Sequence, residues 1–420
     1  MPGSPAPSPS TDAVEVAREA PAGTAVSRWR RSPWWLSVIL IFVASRIVTT
    51  VMLLVLASVQ GPNPWTGAHP GYFDFAAIWD GRWYNIVSIA GYPSSLPLLD
   101  GHVNQNAWAF MPGYPSVVDI VAFVTRAPWP VAAVIASTAF GLGAALVFYR
   151  LLRLRLLPST SLYAVVLFCV APVSPLFQLA YAESMYIFLL ALALYLLMLR
   201  RYWWLIPVVT VMAFTRPSGL AFALALGMHV VYRFAVRARD PFPAADRVAS
   251  IAVTIYSGLA GLAWPATAAI VTGSITAYTD TELSWRAQYI GFTHLVPFTP
   301  WFEGADWWFS FALGLPAWLG TVTVVLLIEL YVVLLFTPAV KRLGVDLRFW
   351  LAAYGLYLLA VFFPQSSTFR LLMPIFPLLG VLAMPRSKVY RIALVIVFLA
   401  LQWGWLLICW GVDGLDWTPP

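Results

Sequence analysis

The sequence predicts an all-α, polytopic integral membrane protein with about eleven transmembrane helices, and three observations carry that expectation. Of 420 residues, 61% are hydrophobic and only 10% are charged, where an ordinary soluble domain carries about 25% charge. Mean hydropathy is +0.79. Long apolar runs recur along the whole chain, and no polar stretch between them is long enough to be a separate soluble domain.

Charge placement orders the spans. Nineteen of the 25 Lys and Arg residues cluster at 18–31, 150–155, 200–201, 233–247, 341–348 and 386–391. Loops rich in Lys and Arg stay in the cytosol, so the amino terminus lies inside. Parity then requires spans near 34–59, 130–150, 161–180, 184–200, 202–214, 217–233, 249–272, 309–337, 349–363, 371–384 and 390–412, with the carboxyl terminus outside. Two of these, 202–214 and 371–384, are shorter than the roughly 20 residues a full crossing needs. Residues 1–30, rich in Pro, Ala and Ser and without apolar periodicity, predict a disordered cytosolic tail ahead of a single transmembrane domain over 31–420. The net charge of +7 belongs to the inner loops and points to no nucleic-acid partner. Cys169 and Cys409 both sit inside apolar runs, which leaves neither a disulfide framework nor a thiolate metal site.

With that placement the chemically unusual segments, 61–126, 172–184, 215–219, 273–308 and 364–370, all fall on the outer side. In the first outer loop, Trp79, Trp83, Ile86, Val87 and Ala90 recur at helical spacing, and Gly91 and Pro93 stop the pattern, which predicts a short interfacial helix over 79–90. Asp80 and Tyr84 share another face of it, and Asp74 lies just before it. A carboxylate buried against Trp rings acquires a pKa suited to a general base; the alternative is that Asp80 only favours the start of the helix. Phe110 to Pro115 closes the loop and leads into a dozen apolar residues, a half-inserted helix ending at Arg126.

Further along, Pro172 and Pro175 break the chain before Glu183, which either complements the dipole of the next helix or contacts substrate. Arg216-Pro217 opens a helix whose free amides, with the guanidinium, suit an anion; snorkelling to the interface is the alternative reading of Arg216. Arg370, after Gln365 and small hydroxyl residues, has the chemistry a lipid phosphate requires. In the 273–308 loop, Asp280 and Glu282 could chelate a divalent cation, though further ligands are lacking and no metal is expected. The Trp residues there suit either sugar stacking or interfacial anchoring. There is no phosphate-cradling glycine loop, nucleophile elbow or HExxH.

Taken in order, Trp79-Asp-Gly-Arg-Trp-Tyr84, Ile89-Ala-Gly-Tyr92, Phe110-Met-Pro-Gly-Tyr-Pro115, Ser174-Pro175 with Tyr181-Ala-Glu-Ser184, Thr215-Arg216 and Pro364-Gln-Ser-Ser with Arg370 resemble the PIG-V-like mannosyltransferases of the GT-C glycosyltransferase superfamily. The similarity covers roughly 34–412, departing at Phe110-Met-Pro-Gly-Tyr, where the family has a second Phe and a bulkier residue before Tyr. The resemblance implies a GT-C-type fold with a helical first outer loop and a polyprenyl phosphate sugar donor, typically mannose. It implies Asp80 as the catalytic base and matches Arg370 to the family's late arginine; the charges themselves add Asp74 as a second catalytic carboxylate and Arg216 beside Arg370 at the donor phosphate. Arg82, Tyr84, Glu183, Tyr181, Tyr114 and Gln365 would line the substrates. The expected partners are the lipid-linked donor, a lipid or glycan acceptor and the bilayer; the expected location is the outer face of the cytoplasmic membrane. Nucleotide sugars do not reach that face, so a lipid-carried donor is also the physical expectation. Of the basic residues only Lys341 and Lys388 are lysine, a bias expected of a GC-rich bacterial genome, and there the acceptor would be a lipoglycan, glycolipid or secreted protein. A transporter or flippase of a lipid-linked sugar or phospholipid is the rival from another class; it should show internal repeats and polar residues at the midplane, and no repeat is visible.

Overall fold

A computed structural model describes residues 33–411 and 419–420, so the predicted tail at 1–30 lies outside the described residues. The architecture is all-α apart from one small hairpin. Its helices run α1 (Trp34–Val59), α2 (Tyr72–Ala76), α3 (Asp80–Ala90), α4 (Gly113–Thr125), α5 (Trp129–Arg153), α6 (Pro158–Val170) and α7 (Glu183–Met198). They continue as α8 (Tyr202–Ala213), α9 (Gly219–Ala235), α10 (Ala244–Thr272), α11 (Ala277–Ser284), α12 (Ala287–Ile290) and α13 (Pro300–Asp306). The last are α14 (Ala317–Phe336), α15 (Pro338–Lys341), α16 (Val345–Val361), α17 (Thr368–Leu371), α18 (Leu379–Leu382) and α19 (Lys388–Trp410). The hairpin pairs β1 (Leu98–Leu99) with β2 (His102–Val103) in antiparallel register.

Among the described residues five helices, α1, α5, α10, α14 and α19, are long and apolar enough to cross a membrane, and the exposed aliphatic side chains of α1, α14 and α19, among them Ile47, Leu330 and Ile408, give the lipid-compatible surface of a multi-pass membrane protein. The expectation of eleven spanning helices is not met in that form. Six further apolar helical stretches run only 10–17 residues. The expected span 161–180 ends as helix at Val170 and continues as a 3₁₀ turn, Ser174–Gln178, because Pro172 and Pro175 cannot supply helix amides. The expected span 371–384 is a 3₁₀ segment, Met373–Leu378, followed by the four residues of α18, with Pro374 and Pro377 as the cause. Charge parity tells on which side a loop lies; it does not require a continuous helix between two loops.

Packing begins at α5 and α7, which pack against each other and bury small residues on both helices, Ala144 and Ala145 on α5 and Ala191 and Ala193 on α7. Small residues let two backbones approach where lipid offers no hydrophobic drive for association. Arg46, buried in α1, donates to the carbonyls of Cys169 at 2.7 Å and Ser174 at 2.6 Å, satisfying backbone groups that the broken helix leaves open. The last helix reaches back to the first loop: the Trp79 indole donates to the Cys409 carbonyl at 2.7 Å and the Trp410 indole to the Phe75 carbonyl at 2.9 Å.

Candidate active site

Asp80 opens α3 directly after Trp79, whose φ of +59° lies in the left-handed region that a bulky side chain rarely adopts. Such a residue costs on the order of 1–3 kcal/mol and persists only where its surroundings hold it. Here the Cys409 carbonyl and the Trp65 ring, 5.5 Å away between centroids, do so. The backbone amide of Asp80 donates to the Tyr181 hydroxyl at 3.4 Å, and the amide of Ala180 donates to the Ala76 carbonyl at 3.0 Å. The first loop and the segment preceding α7 are thereby laid against each other.

Arg216 is placed by a second close approach. The Gly113 amide donates to the Phe214 carbonyl at 2.7 Å, and a Cβ at Gly113 would stand 2.6 Å from that same oxygen. Only glycine allows this meeting of the Phe110–Pro115 motif with the α8–α9 turn. Tyr357 of α16 donates its hydroxyl to the Pro217 carbonyl, and Tyr354 to the Leu371 carbonyl at 2.6 Å, so one helix fixes both arginine-bearing turns.

The result is a four-membered charged cluster. Arg370 Nη1 donates to Asp80 Oδ2 and lies 3.4 Å from Glu183 Oε1; Arg216 Nη2 donates to the same Glu183 oxygen at 2.6 Å. The side chains are 10%, 14%, 4% and 15% exposed for Arg370, Asp80, Glu183 and Arg216, so solvent screens them little, and because Arg370 also neighbours Glu183, loss of the Asp80 charge does not strand it. Hydrogen bonding is incomplete: Arg370 Nε and Glu183 Oε2 have no partner among the described residues. Burial pushes the Asp80 carboxyl up from its ordinary range, the Arg370 charge pulls it back, and burial is the larger effect. Burial also raises the Tyr84 hydroxyl, which keeps its proton beside the cluster.

Of the residues singled out from sequence, Asp80, Arg370, Arg216, Glu183, Tyr181 and Tyr84 are brought together. The Arg370 guanidinium sits 5.4 Å from the centre of the Tyr181 ring. Tyr114 meets Tyr84 edge-on at 5.1 Å while its hydroxyl bonds Ser137 at 2.8 Å and the Ala133 carbonyl at 3.2 Å. Asp74 and Arg82 face elsewhere, into a cavity of about 280 Å³ that also involves Trp65, Asn85 and Trp129, with Arg82 stacked 4.6 Å over Trp65. Gln365 bonds Ser367 at 3.3 Å within its own loop.

One member was not foreseen in its role. Glu282, considered from sequence only as half of a cation pair with Asp280, points its field at the cluster: burial raises its carboxyl, Tyr278 bonds it, and Arg216, Arg370 and Asp80 all act on it. No local spacing could reveal this, because α11 reaches the site through packing of Ala277 with Trp108 and Trp264 and through the 2.9 Å bond of Asn106 to Thr281.

No family model and no curated protein matches the chain. Among solved structures it is similar to the Archaeoglobus fulgidus oligosaccharyltransferase tethered with an acceptor peptide, at 10% identity and a TM-score of 0.44 over 93% of this chain and 56% of that one. It is similar too to that enzyme's complex with Zn and sulfate, at 13% identity and a TM-score of 0.42 over 89% and 53%. Archaeal oligosaccharyltransferase AglB from the same organism, in complex with an inhibitory peptide and a dolichol-phosphate, gives 12% identity and a TM-score of 0.44 over 92% and 57%. This chain therefore spans about half the length of those structures, at 53–57%. Likeness at this level carries no activity across, and the functional reading rests on the site itself.

Proposed function

We propose that the chain is a GT-C-type membrane glycosyltransferase that moves a mannosyl or other hexosyl residue from a polyprenyl phosphate donor to a lipid-linked, lipoglycan or protein acceptor on the outer face of the cytoplasmic membrane. The observation that carries this reading is the contact of Asp80 with Arg370 inside a buried cluster drawn from α3, the start of α7, the α8–α9 turn, α11 and α17. Two guanidinium groups side by side, that of Arg370 with an idle Nε, suit a phosphate, which would compete for them with the carboxylates of Asp80 and Glu183.

The chemistry follows from that competition. A donor phosphate takes Arg216 and Arg370, and Asp80 is released as a carboxylate already raised toward the working range of a base. The acceptor hydroxyl forms its bond to the anomeric carbon as the bond from that carbon to the phosphate oxygen breaks. The hydroxyl proton goes to Asp80, and the developing charge on the leaving polyprenyl phosphate is held by the two arginines. One displacement inverts the anomeric configuration, so a β-linked donor gives an α-linked product. The test is transfer from polyprenyl phosphate mannose by purified Asp80→Asn protein: transfer falls on the order of 10²–10⁴-fold, the range of a lost general base, while the folded yield is kept. Wild-type-like turnover in this variant overturns the assignment.

A further inference from the structure

Arg286 stands outside the cluster just described. It lies between α11 and α12, is 4% exposed, and none of its Nε, Nη1 and Nη2 atoms has a hydrogen-bond partner among the described residues. Glu303 Oε2 and the Trp285 indole nitrogen nearby in the same loop are buried without such a bond as well, while Glu303 Oε1 accepts from the Thr299 hydroxyl at 2.6 Å. The Glu303 charge acts on Arg286 through space without closing to an ion pair. A buried guanidinium with all its donors idle costs several kcal/mol, and a chain that retains one has a reason outside its own side chains.

Its surroundings narrow the ligand. The Trp285 ring packs 5.6 Å from Trp83 and 5.7 Å from Phe110, which joins this segment to the helix that carries Asp80. A planar fork of donors matches two oxygens of a phosphate, and the idle Glu303 oxygen accepts from a hydroxyl beside it. The chain that follows offers little resistance to entry, since no residue of α12 is buried and most of 291–298 is exposed.

We propose that Arg286 and Glu303 form a second lipid-headgroup site, separate from Arg216 and Arg370, which binds a lipid-borne phosphodiester carrying hydroxyl groups. Two lipids share that chemistry: a polyol-headed glycerophospholipid and a polyprenyl phosphate sugar. The site is tested by binding without turnover, so it stands or falls apart from the transferase reading.

The full chain in detergent is titrated with phosphatidylinositol, with decaprenyl phosphate mannose, with phosphatidylcholine, whose phosphate has no hydroxyl partner, and with diacylglycerol, which has no phosphate. Wild type binds one or both of the first two, at least tenfold tighter than the last two; Arg286→Met loses the preference for phosphatidylinositol, or binds one polyprenyl lipid fewer per chain than wild type. Loss of phosphatidylinositol binding identifies a glycerophospholipid at this site; loss of one polyprenyl lipid per chain identifies a second polyprenyl phosphate sugar. Without added lipid, Arg286→Met melts higher than wild type, because an uncompensated charge has been removed. A lower melting point for Arg286→Met shows that the guanidinium is paired within the protein and overturns the proposal, as does equality of both lipid preference and lipid count per chain between wild type and variant. Arg286→Lys, which keeps the charge but not the fork, weakens binding at least threefold and serves as the check in a folded background.

Discussion

Two of the buried polar centres among the described residues are built on opposite terms. The first is the Asp80–Arg370–Glu183–Arg216 cluster. The second lies where α9 meets α16: His229 is bonded on both ring nitrogens, to Asp346 at 2.7 Å and to the Tyr202 hydroxyl at 3.0 Å. His229 is 2% exposed and Tyr202 3%. In the second centre the imidazole has no hydrogen-bonding capacity left, and it joins three helices. In the first, charged atoms remain without partners and two arginines share one carboxylate oxygen. A satisfied buried network rigidifies, whereas an unsatisfied one is kept for something that arrives.

That contrast is most sharply broken by exchange of the two Asp residues. Asp80→Asn removes transfer on the order of 10²–10⁴-fold with the melting temperature little lowered; Asp346→Asn does the reverse, and its measurement is a thermal melt beside an assay of the surviving folded protein. Next in size is Arg370→Lys, which keeps charge but loses the fork. Its expected cost is on the order of 10² in transfer, appearing when donor concentration is varied; an unchanged rate places the phosphate elsewhere. His229→Leu leaves Asp346 and the Tyr202 hydroxyl unpaired and lowers stability by about 1–3 kcal/mol, with transfer by the folded fraction retained at low temperature.

The smallest effect is on pH. Asp80 acts as a base only when ionised, and burial holds its carboxyl above the ordinary aspartate range, so transfer declines as pH falls through a value higher than about 3.9, the unperturbed figure. The arginines do not titrate there. A profile flat down to the ordinary carboxylate range removes Asp80 from the proton-transfer step.

The elements that could be read from sequence are those whose signals are local. The helix expected over 79–90 is α3 at 80–90, because its aromatic and aliphatic residues repeat at helical spacing and Gly91 ends it. The charged residues of the cluster were visible as well, since a carboxylate or arginine beside Pro and Gly breaks is conspicuous in an apolar chain. Their pairing was not. Asp80 meets Arg370 across 290 positions, and Arg216, expected to face an anion, meets the carboxylate of Glu183. Glu282 belongs to the site through the packing of α11, for which no repeat or motif speaks. The span expected at 371–384 failed for the same reason: parity counts crossings, while Pro374 and Pro377 decide the local backbone.

The bonds from Trp79 to Cys409 and from Trp410 to Phe75 tie the loop bearing Asp80 to α19. During synthesis the loop bearing Asp80 leaves the translocon more than three hundred residues before its anchor has been made. Asp80 is thus not seated until α19 has been inserted, and a chain stalled on the ribosome short of α19 displays the Asp80 segment without its hold. Insertion of α19 is in that sense the step that locks the charged cluster in place.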